Sequence, residues 1–170
     1  MRKNFDVALK AVLVSEGGWS DNKLDPGGKT MRGVTQAVYD AFRKRSGSPT
    51  RSVRSIGPEE VAAIYRFQYW DAIRGDALPS GIDYAVFDFA VNSGVVRAAQ
   101  YLQRALGVAA DGVIGNVTVH AAETADRAGV INAVCNARMG FLKRLPTFGT
   151  FGKGWTTRVE KVRAAALGMK

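Results

Sequence analysis

The chain has 170 residues, enough to bury a sizeable core, and its 46% hydrophobic and 23% charged content excludes an intrinsically disordered chain. A net charge of +9 points to an anionic partner, which could be nucleic acid, a membrane surface or a bacterial wall polymer. A lone cysteine, Cys135, excludes an intrachain disulfide, and a lone histidine, His120, leaves too few ligands for a conventional zinc site.

The opening run FDVALKAVLVS predicts a first helix over roughly residues 4 to 16, with Phe5, Leu9, Val12 and Leu13 on one face. Asp6 and Lys10 interrupt the run and no small-residue cleavage site follows, so it does not read as a signal peptide. No segment approaches the ~20 apolar residues of a membrane span. The expectation is a chain made in the cytoplasm that reaches any outside target by another route.

A glycine-rich segment follows to about Thr35, with DPGG as a strong turn signal and a small strand pair within KTMRGVT. A helix is expected from about Gln36 to Lys44, then a basic polar loop, RSGSPTRSVRS, read as a mobile or variable insertion. GPEEVAAIYRFQYWDAI restarts a helix, with Pro58 in its first turn and two acids behind it. Helices are then expected in SGIDYAVFDFAVN, in VVRAAQYLQRALG ending at Gly107, in NVTVHAAETA, from Gly129 to Leu145, and from Trp155 to Leu167. Seven or eight helices and almost no strand predict a mainly α fold with at most a small β element after the first helix.

Cys135 lies in the apolar pattern AGVINAVCNARMGFL and reads as a buried thiol. His120 reads as an ordinary surface or half-buried residue, and nothing near it resembles a nucleophile elbow. The chemistry must be sought among the carboxylates.

Glu16 closes the first helix, where the negative end of the macrodipole disfavours an acid. A carboxyl so placed should hold its proton more tightly, as a general acid requires, and Gly17 and Gly18 would leave it uncovered. The plainer reading is a solvated acid at a frayed helix end followed by a glycine cap. Trp19 offers a flat face for a sugar ring, Asp25 a second carboxyl, and Thr30 a hydroxyl that could position water. Asp25 is equally a good turn opener in Asp-Pro-Gly-Gly. Tyr84, Asp88 and Asn92 share one helix face, either as a buried polar network or as a cleft wall contacting N-acetyl groups and hydroxyls. The loop between Leu102 and Thr118 reads as a helix-loop-helix brace or a direct wall contact.

The ordered pattern EGG-W-S-x4-DPGG-x-T-x2-GVT resembles the N-terminal signature of glycoside hydrolase family 108, muramidases of bacteria and phages. It is also similar to the Glu-x8-Asp-x5-Thr arrangement of phage lysozymes, with Thr30 one residue early. YRFQYWDAIRGDALPSGIDYAVFDFAVNSG looks like the middle of such proteins. LQ-x2-LG-x3-DG-x2-G-x2-T and the terminal FGKGWTTRV resemble the peptidoglycan-binding region that accompanies them.

The resemblance implies a lysozyme-like catalytic part over residues 1–92 and a helical wall-binding part over residues 93–170. It implies cleavage of the β-1,4 bond between N-acetylmuramic acid and N-acetylglucosamine, with Glu16 as general acid. Asp25 and Thr30 are the expected catalytic companions, and Trp19, Tyr84 and Asn92 the expected substrate contacts. No metal or organic cofactor is implied. The expected partner is the peptidoglycan glycan strand, without nucleic acid or membrane insertion, for a monomer that acts in the periplasm or cell wall. A holin pore, a secretion route or lysis of the cell would give it access, whether in prophage lysis or in secretion. The rival readings are a lytic transglycosylase, a non-enzymatic wall-binding protein and, from charge alone, a nucleic-acid binder.

Overall fold

A computed structural model of the chain describes residues 2–21 and 28–170. Among them are eight α-helices and one three-stranded sheet, in agreement with the expected mainly α class. Asp25 lies outside the described residues. No helix among those described is long and apolar enough to cross a membrane.

By contact density the chain divides into residues 9–67 and a second unit made of residues 1–8 with 68–170. The first helix, α1 (Arg2–Ser15), runs through both, with Val12 fully buried.

In the 9–67 unit, β1 (Trp19–Ser20), β2 (Thr30–Met31) and β3 (Val34–Thr35) form an antiparallel sheet in the order β1-β2-β3. Trp19 faces Met31 across the first pair, and Met31 faces Val34 across the second. Arg32 and Gly33 make the two-residue turn between β2 and β3, with φ of 52° and 76°. Positive φ at both central positions matches the right-handed strand twist, which is why such hairpins favour it. Thr35 then caps α2 (Gln36–Arg45), its hydroxyl accepting the Val38 N–H at 3.2 Å.

The basic loop after α2 is anchored rather than left loose. Arg43 Nε donates to the Pro49 carbonyl at 2.7 Å, and Gln36 Nε2 donates to the Arg51 carbonyl at 2.9 Å. Gln36 Oε1 accepts the Val53 N–H at 2.8 Å, and Val53 itself is fully buried in a 3-10 turn, Val53–Ser55. The physical reason is a single glutamine reading two backbone groups of the loop at once.

α3 (Pro58–Tyr65) begins as expected, with Pro58 in its first turn and Glu60 accepting the Gly57 N–H at 2.9 Å. Glu60 is also the polar centre of this unit. Its carboxylate accepts from the Tyr39 hydroxyl, Arg43 and Arg51, each at 2.8 Å. Desolvation pushes this carboxyl up, but the Gly57 N–H and the three side-chain donors outweigh it and hold it at about 2.

The expected single helix through GPEEVAAIYRFQYWDAI instead changes to a π turn over Arg66–Trp70. In the second unit, Trp70 is fully buried and packs edge-on against Phe5 and Phe87, with ring centroids 5.4 and 5.3 Å away. Gly75 lies against the Trp70 indole, 2.4 Å from where a Cβ would stand, so any side chain there would displace the ring.

α4 (Ile82–Ser93) is apolar nearly all round and is buried from Ile82 through Ala90. It packs on α5 (Val95–Ala105), α7 (Arg127–Lys143) and α8 (Phe148–Gly168), and α6 (Asn116–Thr124) lies against α7. α8 starts two turns before the expected Trp155, despite glycines at 149, 152 and 154. Packing outweighs their weak helix propensity, since Phe148 lies over Gly152, 2.8 Å from where its Cβ would stand.

Candidate active site

Glu16 stands one residue beyond the end of α1, its N–H donating to the Leu13 carbonyl at 3.3 Å. Gly17, at φ 69°, turns the chain away immediately, so the half-buried glutamate side chain is left at the turn. The hairpin of β2 and β3 then brings Gly33 against it. A Cβ built on Gly33 would stand 3.1 Å from Glu16 Oε2 and 3.5 Å from Glu16 Cβ.

Tyr65, the last residue of α3 and 2% exposed, approaches the same point. Its hydroxyl donates to the Arg32 carbonyl at 3.0 Å and would lie 2.3 Å from a Gly33 Cβ. A helix end, a hairpin turn and a buried phenol therefore converge on one carboxyl. Only glycine satisfies both the positive φ and the space at position 33. Neither Gly33 nor Tyr65 stood out in the sequence analysis; the signal available was a glycine following a long side chain between two short strands.

Trp19 is half-buried in β1, with the Arg54 guanidinium 5.4 Å from its ring centre. Thr30 is half-buried in β2, opposite Ser20 and Thr35. An open depression of about 360 Å³ on the same unit is lined by Lys29, Gln36, Asp40, Thr50, Arg51 and Ser52. Its lining residues are all polar or charged, which suits a hydroxyl-rich ligand better than an apolar one.

Tyr84 and Asn92 belong to the other unit. Tyr84 is only 4% exposed, and burial, aided by the Asp88 charge, pushes its hydroxyl up to about 12. Between them Asp88 holds a buried ionic network. Arg138 Nη1 donates to it at 2.7 Å, and Arg158 reaches both carboxylate oxygens through Nε at 3.1 Å and Nη2 at 3.0 Å. Asn92 is exposed, and its Oδ1 accepts from Arg138 Nη2 at 3.3 Å. The tyrosine, aspartate and asparagine stripe is thus tied to α7 and α8 by two arginines that the sequence analysis did not single out.

The DG loop is tied in the same way. Gln103 Nε2 donates to Asp111 at 2.6 Å and to the Val113 carbonyl at 3.0 Å, while Gln103 Oε1 accepts the Gly112 N–H at 2.9 Å. Gly112 has φ 83° and would carry its Cβ 2.7 Å from Val96, which explains the glycine. The motif's glutamine, aspartate and glycine serve one another. Among the described residues no cluster of histidine, cysteine, aspartate and glutamate could hold a metal ion.

Residues 9–94 match the model of the glycosyl hydrolase 108 family, and residues 97–160 match that of a predicted peptidoglycan domain. No curated protein matches the chain. Among solved structures, that of Brucella abortus SagA superposes with a TM-score of 0.84 at 42% identity, covering 98% of this chain and 95% of that one.

Proposed function

The chain belongs to the glycosyl hydrolase 108 family and is a glycoside hydrolase acting on peptidoglycan; on that premise we propose that it is an N-acetylmuramidase with Glu16 as its general acid. The observation that carries the assignment is the seat of Glu16. A half-buried carboxyl lies against the α-carbon of Gly33, on a turn whose backbone is tied down by Tyr65. Such a carboxyl is confined on its Gly33 side and, being only half-buried, remains within reach of a substrate oxygen.

In this reading Glu16 gives its proton to the glycosidic oxygen as the bond to the anomeric carbon of N-acetylmuramic acid breaks. Water adds to that carbon, and its proton returns to the enzyme. Asp25 assists the water or the developing positive charge, Thr30 helps place the water, and Trp19 and the exposed Asn92 each offer a glycan contact on their own unit, whereas Tyr84, expected to do the same, is buried in its helix core. The catalytic part spans residues 1–92 and the wall-binding part residues 93–170. The enzyme works as a monomer in the periplasm or cell wall and is carried there by a pore or a secretion route.

The test is mass spectrometry of the fragments that the protein releases from purified peptidoglycan, beside Glu16→Gln. Fragments ending in reducing N-acetylmuramic acid are expected, falling about 100-fold or more in the variant, as loss of a general acid does. Anhydro ends would make the enzyme a lytic transglycosylase, and fragments that survive the substitution would remove Glu16 from the role.

A further inference from the structure

Arg43 and Arg51 of the 9–67 unit are spent on Glu60. Arg54 differs. Its exposed side chain makes no ion pair among the described residues, and its guanidinium stands over the Trp19 ring instead, 5.4 Å from the centre. A guanidinium held over a ring keeps its N–H donors at its edge, in the fork that matches a carboxylate.

The backbone beneath Arg54 is built to hold it there. Ser52 caps the turn, its hydroxyl accepting the Arg54 N–H at 3.3 Å, and Ser55 Oγ donates back to the Ser52 carbonyl at 2.7 Å. Val53 and Ile56, at 0% and 7% exposure, anchor the turn on either side of the arginine. The turn packs on β2, the strand that pairs Met31 with Trp19. Trp19 in turn follows Glu16 by three residues, at most about 11 Å along the chain. A ring suited to a sugar face and a fork of donors without an ion pair among the described residues therefore lie together, on a strand that begins three residues after the candidate acid.

We propose that Arg54 is a specificity-determining residue: its guanidinium, steadied by Trp19, receives a carboxylate carried on the side of the glycan strand next to the bond being cleaved. This rests on the muramidase reading above. Wall strands offer that chemistry from two sources, the stem peptide or the lactyl group once the peptide is gone, and a neutral β-1,4-linked amino-sugar polymer offers neither. Arg54 thereby favours wall strands over uncharged ones.

The experiment compares kcat/KM on native peptidoglycan with that on the same material after its carboxyls have been coupled to methylamine. The wild-type protein prefers the native form about threefold to fivefold, the scale of one exposed charge pair, and added salt erodes the preference. Arg54→Gln brings the ratio to about one, chiefly by slowing cleavage of the native wall, and Arg54→Lys restores part of it. Lys161→Gln, which removes an equal charge from the exposed face of α8, keeps the preference.

Peptide-stripped strands bearing free lactyl carboxylates identify the source. A preference retained there assigns the lactyl group, and one lost there assigns the stem peptide. The proposal is overturned if wild type does not discriminate, if Arg54→Gln slows both substrates equally, or if Lys161→Gln erases the preference as well. Failure of wild type to cleave either material would sink the muramidase reading first, and Arg54's role with it.

Discussion

Replacing Gly33 by alanine tests whether the seat of Glu16 is built as described. Two costs apply. A non-glycine residue at φ 76° costs about 1 kcal/mol in backbone strain. A Cβ 2.3 Å from the Tyr65 hydroxyl also cannot be accommodated in place, so the phenol must move off the Arg32 carbonyl. Losing that buried hydrogen bond costs about 1–3 kcal/mol. The sum, about 2–4 kcal/mol, corresponds to a fall in melting temperature of roughly 5–15 °C for a chain of this size.

Gly47→Ala is the control. Gly47 has nearly the same φ, 66°, but its Cβ would meet nothing within 4 Å, so only the backbone cost of about 1 kcal/mol remains. Circular-dichroism melting and the rate of muropeptide release should therefore separate the two variants. Gly33→Ala should also lose about tenfold to 100-fold in turnover, because its Cβ would stand 3.1 Å from Glu16 Oε2 and shifts the carboxyl. Equal melting temperatures with full turnover in Gly33→Ala would refute the claim that Gly33 and Tyr65 hold the acid in place.

Glu60, held at about 2 against an ordinary 4.5, stabilises the fold above pH 4.5 and loses that contribution as pH falls toward 2. Glu60→Gln should cost about 1–2 kcal/mol at pH 7, allowing for solvent around Arg51, and should flatten the acid limb in urea unfolding; an unchanged limb would discount the hub. Asp88→Ala should be harsher, because Arg138 is 2% exposed and would be left with its charge buried. A loss of about 3–5 kcal/mol is expected, and one below about 1 kcal/mol would mean that water replaces the carboxylate.

The ionic network on α4 shows how position, rather than residue type, selects between structural and binding roles. Tyr84, Asp88 and Asn92 share a face, as a period of four along a helix requires. Yet burial along it breaks sharply after Asp88: Tyr84 and Asp88 are 4% and 1% exposed, whereas Asn92 faces solvent. The carboxylate in the middle is neutralised by arginines 50 and 70 residues away in sequence. Such partners carry no local signal, because each arginine sits in a helix where a solvated face would look the same.

Local rules were sufficient for much of this protein. The first helix with its end near Glu16, the strand pair in KTMRGVT, the Pro58 start and the apolar run of α4 follow from periodicity, turn residues and caps acting over a few neighbours. The ordered motifs likewise pointed to the glycosyl hydrolase 108 family and to its peptidoglycan substrate. Other features required the folded chain. The basic loop is pinned because Gln36 reads it from 15 residues away, and the helix after Pro58 gives way to a π turn where Trp70 enters an aromatic core. α8 extends through three glycines because ring packing outweighs propensity. Glu16 was singled out from EGG, but the glycine at its carboxyl, the phenol behind that glycine and the arginine over Trp19 come from segments far apart in sequence. Their meeting is a matter of steric fit and hydrogen bonding between elements, which only the tertiary structure decides.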